Sequence, residues 1–274
     1  MHFHTRSAGD YGLQPPPNPA TGKKPNAGSN EAILSSNYHL LKQYNVVKAI
    51  CSGTLKRNAD YISADPERFI SSLEYPDHQN NPIPDTATFR KMVMAKKFTV
   101  FGELGLQYEG RTLDESISEP YLAICEQYDI PVAVHTGIGP PETPYHGSPN
   151  FTIAAGKPSC LEPVLKKHPK LKIQMMHMGY PYLEETKAIM GVYPQVYADF
   201  SVIDWILPVQ EFYDYLKALL TAGFGKRLMY GSDQMIWEDA IPLSIKNVEN
   251  APFLNTQQKN DLFYNNAANF FHLQ

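Results

Sequence analysis

The opening stretch Met1-His2-Phe3-His4-Thr5 (MHFHT) sets two histidines one residue apart. At a chain end such a pair can be a tag remnant or part of a solvated terminus. In an extended strand, by contrast, residues i and i+2 point to the same side, so both imidazoles could hold one metal ion. The rest of the chain decides between these readings. Seven further β-rich runs follow: VVKAIC (46–51), FISSL (69–73), FTVFGELGL (98–106), IPVAVHTG (130–137), LKIQMMHMG (171–179), QVYADFS (195–201) and RLMYGSD (227–233). Helix-like stretches such as NEAILSSNYHLLKQYN and PVQEFYDYLKALLTAGFGK separate them. Strands joined through ten or more helical residues pair in parallel, and eight such units in about 250 residues match a (β/α)₈ barrel, the α/β TIM-barrel class. A doubly wound open sheet is the alternative. One domain spanning residues 1–274 is expected, with no internal repeat.

The histidines follow this pattern. His2 and His4 lie in the first run, His135 ends the fifth, His177 ends the sixth, and Asp233 ends the eighth. In a barrel the C-terminal strand ends converge on one mouth, where active sites are built. Taken singly, a histidine after an apolar strand is an ordinary hydrogen-bonded residue, and the aspartate of GSD an ordinary turn or cap. Together, donors at four strand ends in one register point to a site for a borderline divalent metal, zinc first, with Mn²⁺, Fe²⁺ or Co²⁺ as other candidates.

These motifs, with GELGL (102–106), VAVHTG around His135, LEPVLKKHPKLKIQMMHMG through His177, Ser232-Asp233 and the terminal YNNAANFF, resemble the amidohydrolase superfamily along essentially the whole chain. The specific likeness is to the amidohydrolase-related branch that includes lactone hydrolases and aminocarboxymuconate semialdehyde decarboxylases. The resemblance implies that His2, His4, His135 and Asp233 ligate a catalytic metal. It makes His177 either a second-metal ligand or the group that orients water. Many relatives bridge two metals with a carboxylated lysine after the fourth strand; this chain has Glu103 there instead, as TatD-type nucleases do. One ion is expected rather than two, with Glu103 a conditional or outer ligand.

The expected chemistry is hydrolysis of a small lactone, ester or amide, because a divalent cation with an open position acidifies its bound water. Asp233 would carry the proton and His177 would hydrogen-bond the water or the developing oxyanion. A decarboxylase using the same ligands is the alternative; a nuclease and a non-catalytic barrel rank below it. Arg6 could clamp a substrate carboxylate or pair with a loop acid. Glu74 and His78 follow the third run, and Tyr145 and His146 stand in the loop GIGPPETPYHGSPN (137–150). That loop and the Pro-rich segment Ala8 to Asn30 are expected to fold over the mouth.

Composition narrows the partners. The net charge of -4 gives no basic footprint for nucleic acid, and no apolar run approaches the roughly 18 residues of a membrane span. Cys51, Cys125 and Cys160 are odd in number and unpaired in spacing, so neither a thiolate zinc motif nor a disulfide framework is indicated and buried free thiols are expected. A small-molecule substrate, a soluble cytoplasmic location and a possible homodimer are the resulting expectations. A core strand at residue 2 further suggests that a segment may precede this sequence.

Overall fold

The structure is a computed structural model and describes residues 1–273. Eight strands pair in parallel in strict sequence order: β1 (His2–His4), β2 (Ala49–Ser52), β3 (Phe69–Tyr75), β4 (Val100–Leu104), β5 (Val132–Val134), β6 (Ile173–Met175), β7 (Val196–Asp199) and β8 (Leu228–Met229). Each lies within, or overlaps, a run expected from the sequence. The ring is closed beyond β8, where the amides of Ser232 and Asp233 donate to the His2 carbonyl at 3.1 and 3.4 Å. Gln234 completes the seam through its side-chain amide: Nε2 donates to the His4 carbonyl at 2.7 Å, and Oε1 accepts from the His4 amide at 3.2 Å. Gly231 permits this approach, since a Cβ there would lie 2.8 Å from the Cβ atoms of both His2 and Ser201. The fold is a TIM barrel.

The helices that cover it start where the sequence supplies caps. Ser29 accepts from the Ala32 amide at the start of α1 (Asn30–Gln43), Thr54 from Arg57 at α2 (Leu55–Ala64), and Asp85 from Ala87 and Thr88 at α3 (Thr86–Met94). After α4 (Glu119–Gln127), α5 (Glu162–Lys167), α6 (Leu183–Val192) and the short α7 (Ile203–Ile206) comes α8 (Val209–Thr221). This helix buries Phe212, Tyr215, Leu216 and Leu219, the i, i+3, i+4, i+7 stripe of a helix lying on a sheet. α9 (Ala240–Glu249), α10 (Thr256–Asn260) and α11 (Asn266–Phe271) finish the layer.

β1 shows how strand periodicity builds the site. Phe3, fully buried, points outward and packs against Tyr61 of α2 and Phe69 of β3 at ring-centroid distances of 5.5 and 6.0 Å. Its neighbours His2 and His4 therefore face the interior. Burying a phenylalanine contributes about 2 to 3 kcal/mol, so the packing of Phe3 holds both imidazoles in register. No helix among the described residues is long and apolar enough to cross a membrane.

Candidate metal centre

Six side chains from five strand ends meet inside the mouth: His2 and His4, Glu103, His135, His177 and Asp233, none more than 8% exposed. His2 Nε2 and His4 Nε2 each lie 3.3 Å from Glu103 Oε2, and His4 Nε2 lies 2.7 Å from Asp233 Oδ1. His135 Nδ1 is 2.8 Å from Glu103 Oε1 and 3.1 Å from His177 Nε2.

Local backbone features aim these groups. The β3–β4 and β4–β5 ladders both shift register around Gly102 and Glu103, the kind of irregularity that re-aims a side chain. Gly102 has φ +147°, and a Cβ there would lie 2.4 Å from the Ala133 carbonyl oxygen, so only glycine allows the bend that turns Glu103 inward. At the end of β6, His177 and Met178 both adopt left-handed backbone (φ 58° and 50°), which costs a non-glycine residue about 1 to 2 kcal/mol each. Fixed bonds hold that turn. Asp199 accepts from the amides of His177 and Ser201 at 3.4 and 3.0 Å, while the hydroxyls of Thr186 and Tyr215 donate to the Met178 carbonyl at 2.8 and 3.0 Å.

The rings are also held in useful tautomers. His4 Nδ1 faces the Ser52 carbonyl at 3.3 Å and His177 Nδ1 faces the Ser201 carbonyl at 2.9 Å. A carbonyl only accepts, so each Nδ1 carries hydrogen and each Nε2 lone pair is turned toward the centre, where His4 Nε2 meets Arg6 Nη2 at 3.4 Å and His177 Nε2 meets His135 Nδ1 at 3.1 Å.

These donors suit a divalent cation. His2 Nε2, Glu103 Oε2, His135 Nε2 and Asp233 Oδ1 are buried without a hydrogen-bond partner, although three of them face one another. Donors bonded tetrahedrally at about 2.1 Å sit about 3.4 Å apart, close to the 3.3, 3.3 and 3.6 Å separations among His2, His4, Glu103 and Asp233, of which only His4 and Asp233 stand closer, at 2.7 Å. In the metal-free protein, protons take the cation's place. Burial opposes charge on His2 and His177, yet their hydrogen bonds to, and the charges of, Glu103 and Asp233 prevail and raise them to about 10 and about 9. Burial likewise opposes ionisation of Asp233 and Glu103, but the surrounding histidines hold both well below the usual carboxylate range. Burial and the neighbouring His177 lower His135.

A cavity of about 430 Å³ opens above this cluster. Arg6 lines it but is paired: its Nη1 donates to both Glu74 oxygens at 2.8 and 3.1 Å, with the two residues 4% and 8% exposed. His146 reaches the rim, where its largely exposed ring meets Glu142 at 3.1 Å. Tyr145 is 83% exposed and turns away into solvent. His78 lines the wall, stacked near Tyr11 with ring centroids 5.9 Å apart. The Pro-rich segment does fold over the mouth, strapped to the loop after β8 by Trp237 Nε1 donating to the Pro16 carbonyl and Asn18 Nδ2 to Asp239, both at 2.9 Å. Two phenols not singled out from the sequence, Tyr11 and Tyr108, also face the cavity. Tyr108 stacks on His135 at 5.0 Å, and burial raises both phenols, Tyr11 to about 12, so they remain neutral donors. Tyr108 follows strand four closely enough for the strand-end rule to find it; nothing in the Pro-rich text marks Tyr11. A larger cavity of about 750 Å³ lies at the far end of the barrel beside Met1, Val46 and Lys48, away from all of these donors.

Comparison with solved structures places this geometry among known barrels. An uncharacterized TIM-barrel protein from Bordetella bronchiseptica superposes with a TM-score of 0.69 at 16% identity, covering 91% of this chain and 86% of the other. A probable 2-pyrone-4,6-dicarboxylic acid hydrolase from Acinetobacter baumannii, with citric acid bound, gives 0.66 at 16% identity over 99% and 97%. A 5-carboxyvanillate decarboxylase from Novosphingobium aromaticivorans, complexed with manganese and a nitrobenzoic acid ligand, gives 0.59 at 18% identity over 86% and 79%. No curated protein matches the sequence. The family model described as amidohydrolase matches residues 1–273, and with the barrel and its histidine-carboxylate mouth in place, the chain belongs to the amidohydrolase family.

Proposed function

We propose that the chain is a metal-dependent hydrolase of a small, uncharged carbonyl compound, a lactone, ester or amide. The neutralised state of Arg6 carries the choice of hydrolysis over decarboxylation. Among the described residues it is the only lysine or arginine lining the cavity, against Glu74, Asp77, Glu103 and Asp233, and Glu74 already takes its charge. A carboxylate substrate would find the cavity's one cationic side chain already paired with Glu74. The hydrolase from Acinetobacter baumannii acts, by its name, on a cyclic ester bearing two carboxylates; here the same kind of ring without the acid groups suits the lining.

His2, His4, His135 and Asp233, with Glu103 and His177 beside them, would hold the cation, zinc being the expected ion. Bound there, it supplies Lewis acidity, lowering a water's pKa from about 16 toward about 7 and polarising the substrate carbonyl. Asp233 is the proton carrier: its buried carboxylate stays ionised, takes a proton from the attacking water and returns it to the leaving group. His177, anchored through Nδ1, presents Nε2 to the same water. The neutral phenols of Tyr11 and Tyr108 donate toward the carbonyl oxygen as charge develops on it.

The test is a product assay on zinc- and manganese-reconstituted protein with neutral lactones, esters and aromatic acids. Acid release from the neutral compounds supports the proposal. Carbon dioxide release from an aromatic acid, without hydrolysis of any neutral compound, refutes it.

A further inference from the structure

We infer that Tyr11 decides which compounds the cavity accepts. Its phenol rides on a glycine-flanked flap that closes on a planar, uncharged ring, and a latch of three consecutive residues, Trp237, Glu238 and Asp239, sets that flap in place; this rests on the uncharged substrate proposed above. Each latch side chain takes a different part of the Pro-rich segment. Trp237 Nε1 donates to the Pro16 carbonyl at 2.9 Å, Glu238 accepts from the Asn26 amide at 3.1 and 3.2 Å, and the two oxygens of Asp239 accept from Asn18 Nδ2 at 2.9 Å and from the Thr21 hydroxyl at 2.5 Å. Asn18, fully buried, ties the turn itself, its Oδ1 accepting from the Ala20 amide at 2.8 Å.

The residues just before the latch are held differently. Between Gly9 and Pro15 the hydrogen bonds are local: the Asp10 and Gly12 amides donate to the Ser7 and Gly9 carbonyls at 3.2 and 2.8 Å, and the Asp10 carboxylate accepts from the Ser7 amide at 2.8 Å. Gly9 and Gly12 bracket Tyr11 with φ of 93° and 80°, both in open space. A segment with local bonds and a glycine on either side opens at little cost, whereas the latched segment that follows it does not. Tyr11 is nevertheless turned inward, between His78 and Trp237 at ring-centroid distances of 5.9 and 5.8 Å, so the indole that pins Pro16 also backs the phenol. The same cavity is walled by Tyr108, Pro76, Pro140 and Pro141, whose flat faces suit a planar ring better than a branched chain. Closed, Tyr11 covers a ring that has entered; an aliphatic compound of the same polarity gains little from it.

The experiment compares two neutral ketones that carry no scissile bond, acetophenone and acetone, binding to the zinc-reconstituted full chain, with dissociation constants from ligand-observed nuclear magnetic resonance. Tyr11→Ala should weaken acetophenone about two- to tenfold, the contribution of one aromatic pair, and leave acetone unchanged, while Tyr11→Phe keeps most of the wild-type affinity. Asp239→Ala, which frees Asn18 and Thr21, should also weaken acetophenone, and adding it to Tyr11→Ala should weaken binding no further, because the latch acts through Tyr11. Equal changes for the two ketones in Tyr11→Ala, wild-type acetophenone binding in Asp239→Ala, or effects of the two substitutions that multiply would each overturn the assignment. None of these results touches the hydrolase reading, which stands or falls on acid released from neutral compounds.

Discussion

Replacing Glu74 with glutamine should turn a site that is indifferent to carboxylates into one that captures them. In the native protein the Arg6 guanidinium spends Nη1 on both Glu74 oxygens, at 2.8 and 3.1 Å, in a nearly dry wall of the cavity above the histidine-carboxylate cluster. Glutamine retains one acceptor but removes the charge, leaving a buried guanidinium uncompensated. Truncating one partner of a buried pair costs about 3 to 5 kcal/mol, and the remaining amide contact places Glu74→Gln near the lower end. A ligand carboxylate can recover part of that cost. One charge-assisted hydrogen bond contributes about 1.5 to 3 kcal/mol, equivalent to about ten- to one-hundred-fold in affinity. Calorimetric titration with benzoate and benzamide, on metal-loaded wild type and variant, isolates the effect because the metal's own contribution cancels in the ratio. Benzoate affinity should rise by that factor and benzamide affinity should stay constant. Equal benzoate affinity in the two proteins, or a wild type that already prefers benzoate strongly, would refute the claim that Arg6 is spent.

Other expected outcomes follow from the same geometry. Asp233→Asn should lower kcat by about 10² to 10⁴, the usual contribution of a positioned acid-base group, while far-ultraviolet circular dichroism stays unchanged; near-normal turnover removes Asp233 from proton transfer. Metal-free protein should lose stability as pH rises. The histidines raised from 6.5 to about 10 and about 9, His2 and His177, stabilise the fold fully below pH 6.5, and that contribution is lost through pH 9 to 10. At about 1.4 kcal/mol per pH unit the His177 part alone is about 3 kcal/mol, so a chelated sample whose Tm stays flat from pH 6.5 to 9.5 contradicts the imidazolium-carboxylate pairing. Asp199→Ala strands the Ser201 amide and the Gln174 side chain and frees the left-handed turn at His177; urea unfolding should show a loss of about 3 kcal/mol or more, with Asp199→Asn costing less.

Much of this arrangement was legible because a strand's period is two and a barrel's strand ends share one face. HFH announces two inward imidazoles around one outward ring, and the residues ending runs five, six and eight inherit their position from topology alone. Asp199 ends β7, inside run seven, and by the same logic could have been named. Glu103 is the residue whose place the sequence understated. Its inward aim depends on a register shift around Gly102, a property of how three neighbouring strands curve together, and no periodicity in GELGL encodes it. Arg6 was open between two partners, and only the fold brings Glu74, 68 residues away, within reach. Tyr145 stands in an irregular loop with no periodicity to orient it, and its ring faces water.

The seam that closes the barrel also has a consequence for how the chain is made. His2 and His4 are bonded to Ser232, Asp233 and Gln234, partners separated by up to 231 positions, and the cluster of His2, His4, Glu103 and Asp233 draws on both sides of that seam. The ring cannot close on β1 until residues 232–234 are in place beside it. A chain that lacks residues 232–234 cannot bring Asp233 beside His2 and His4. If the proposed cation binds there, its loading is coupled to ring closure, and a chelator added during refolding should slow recovery of the native barrel.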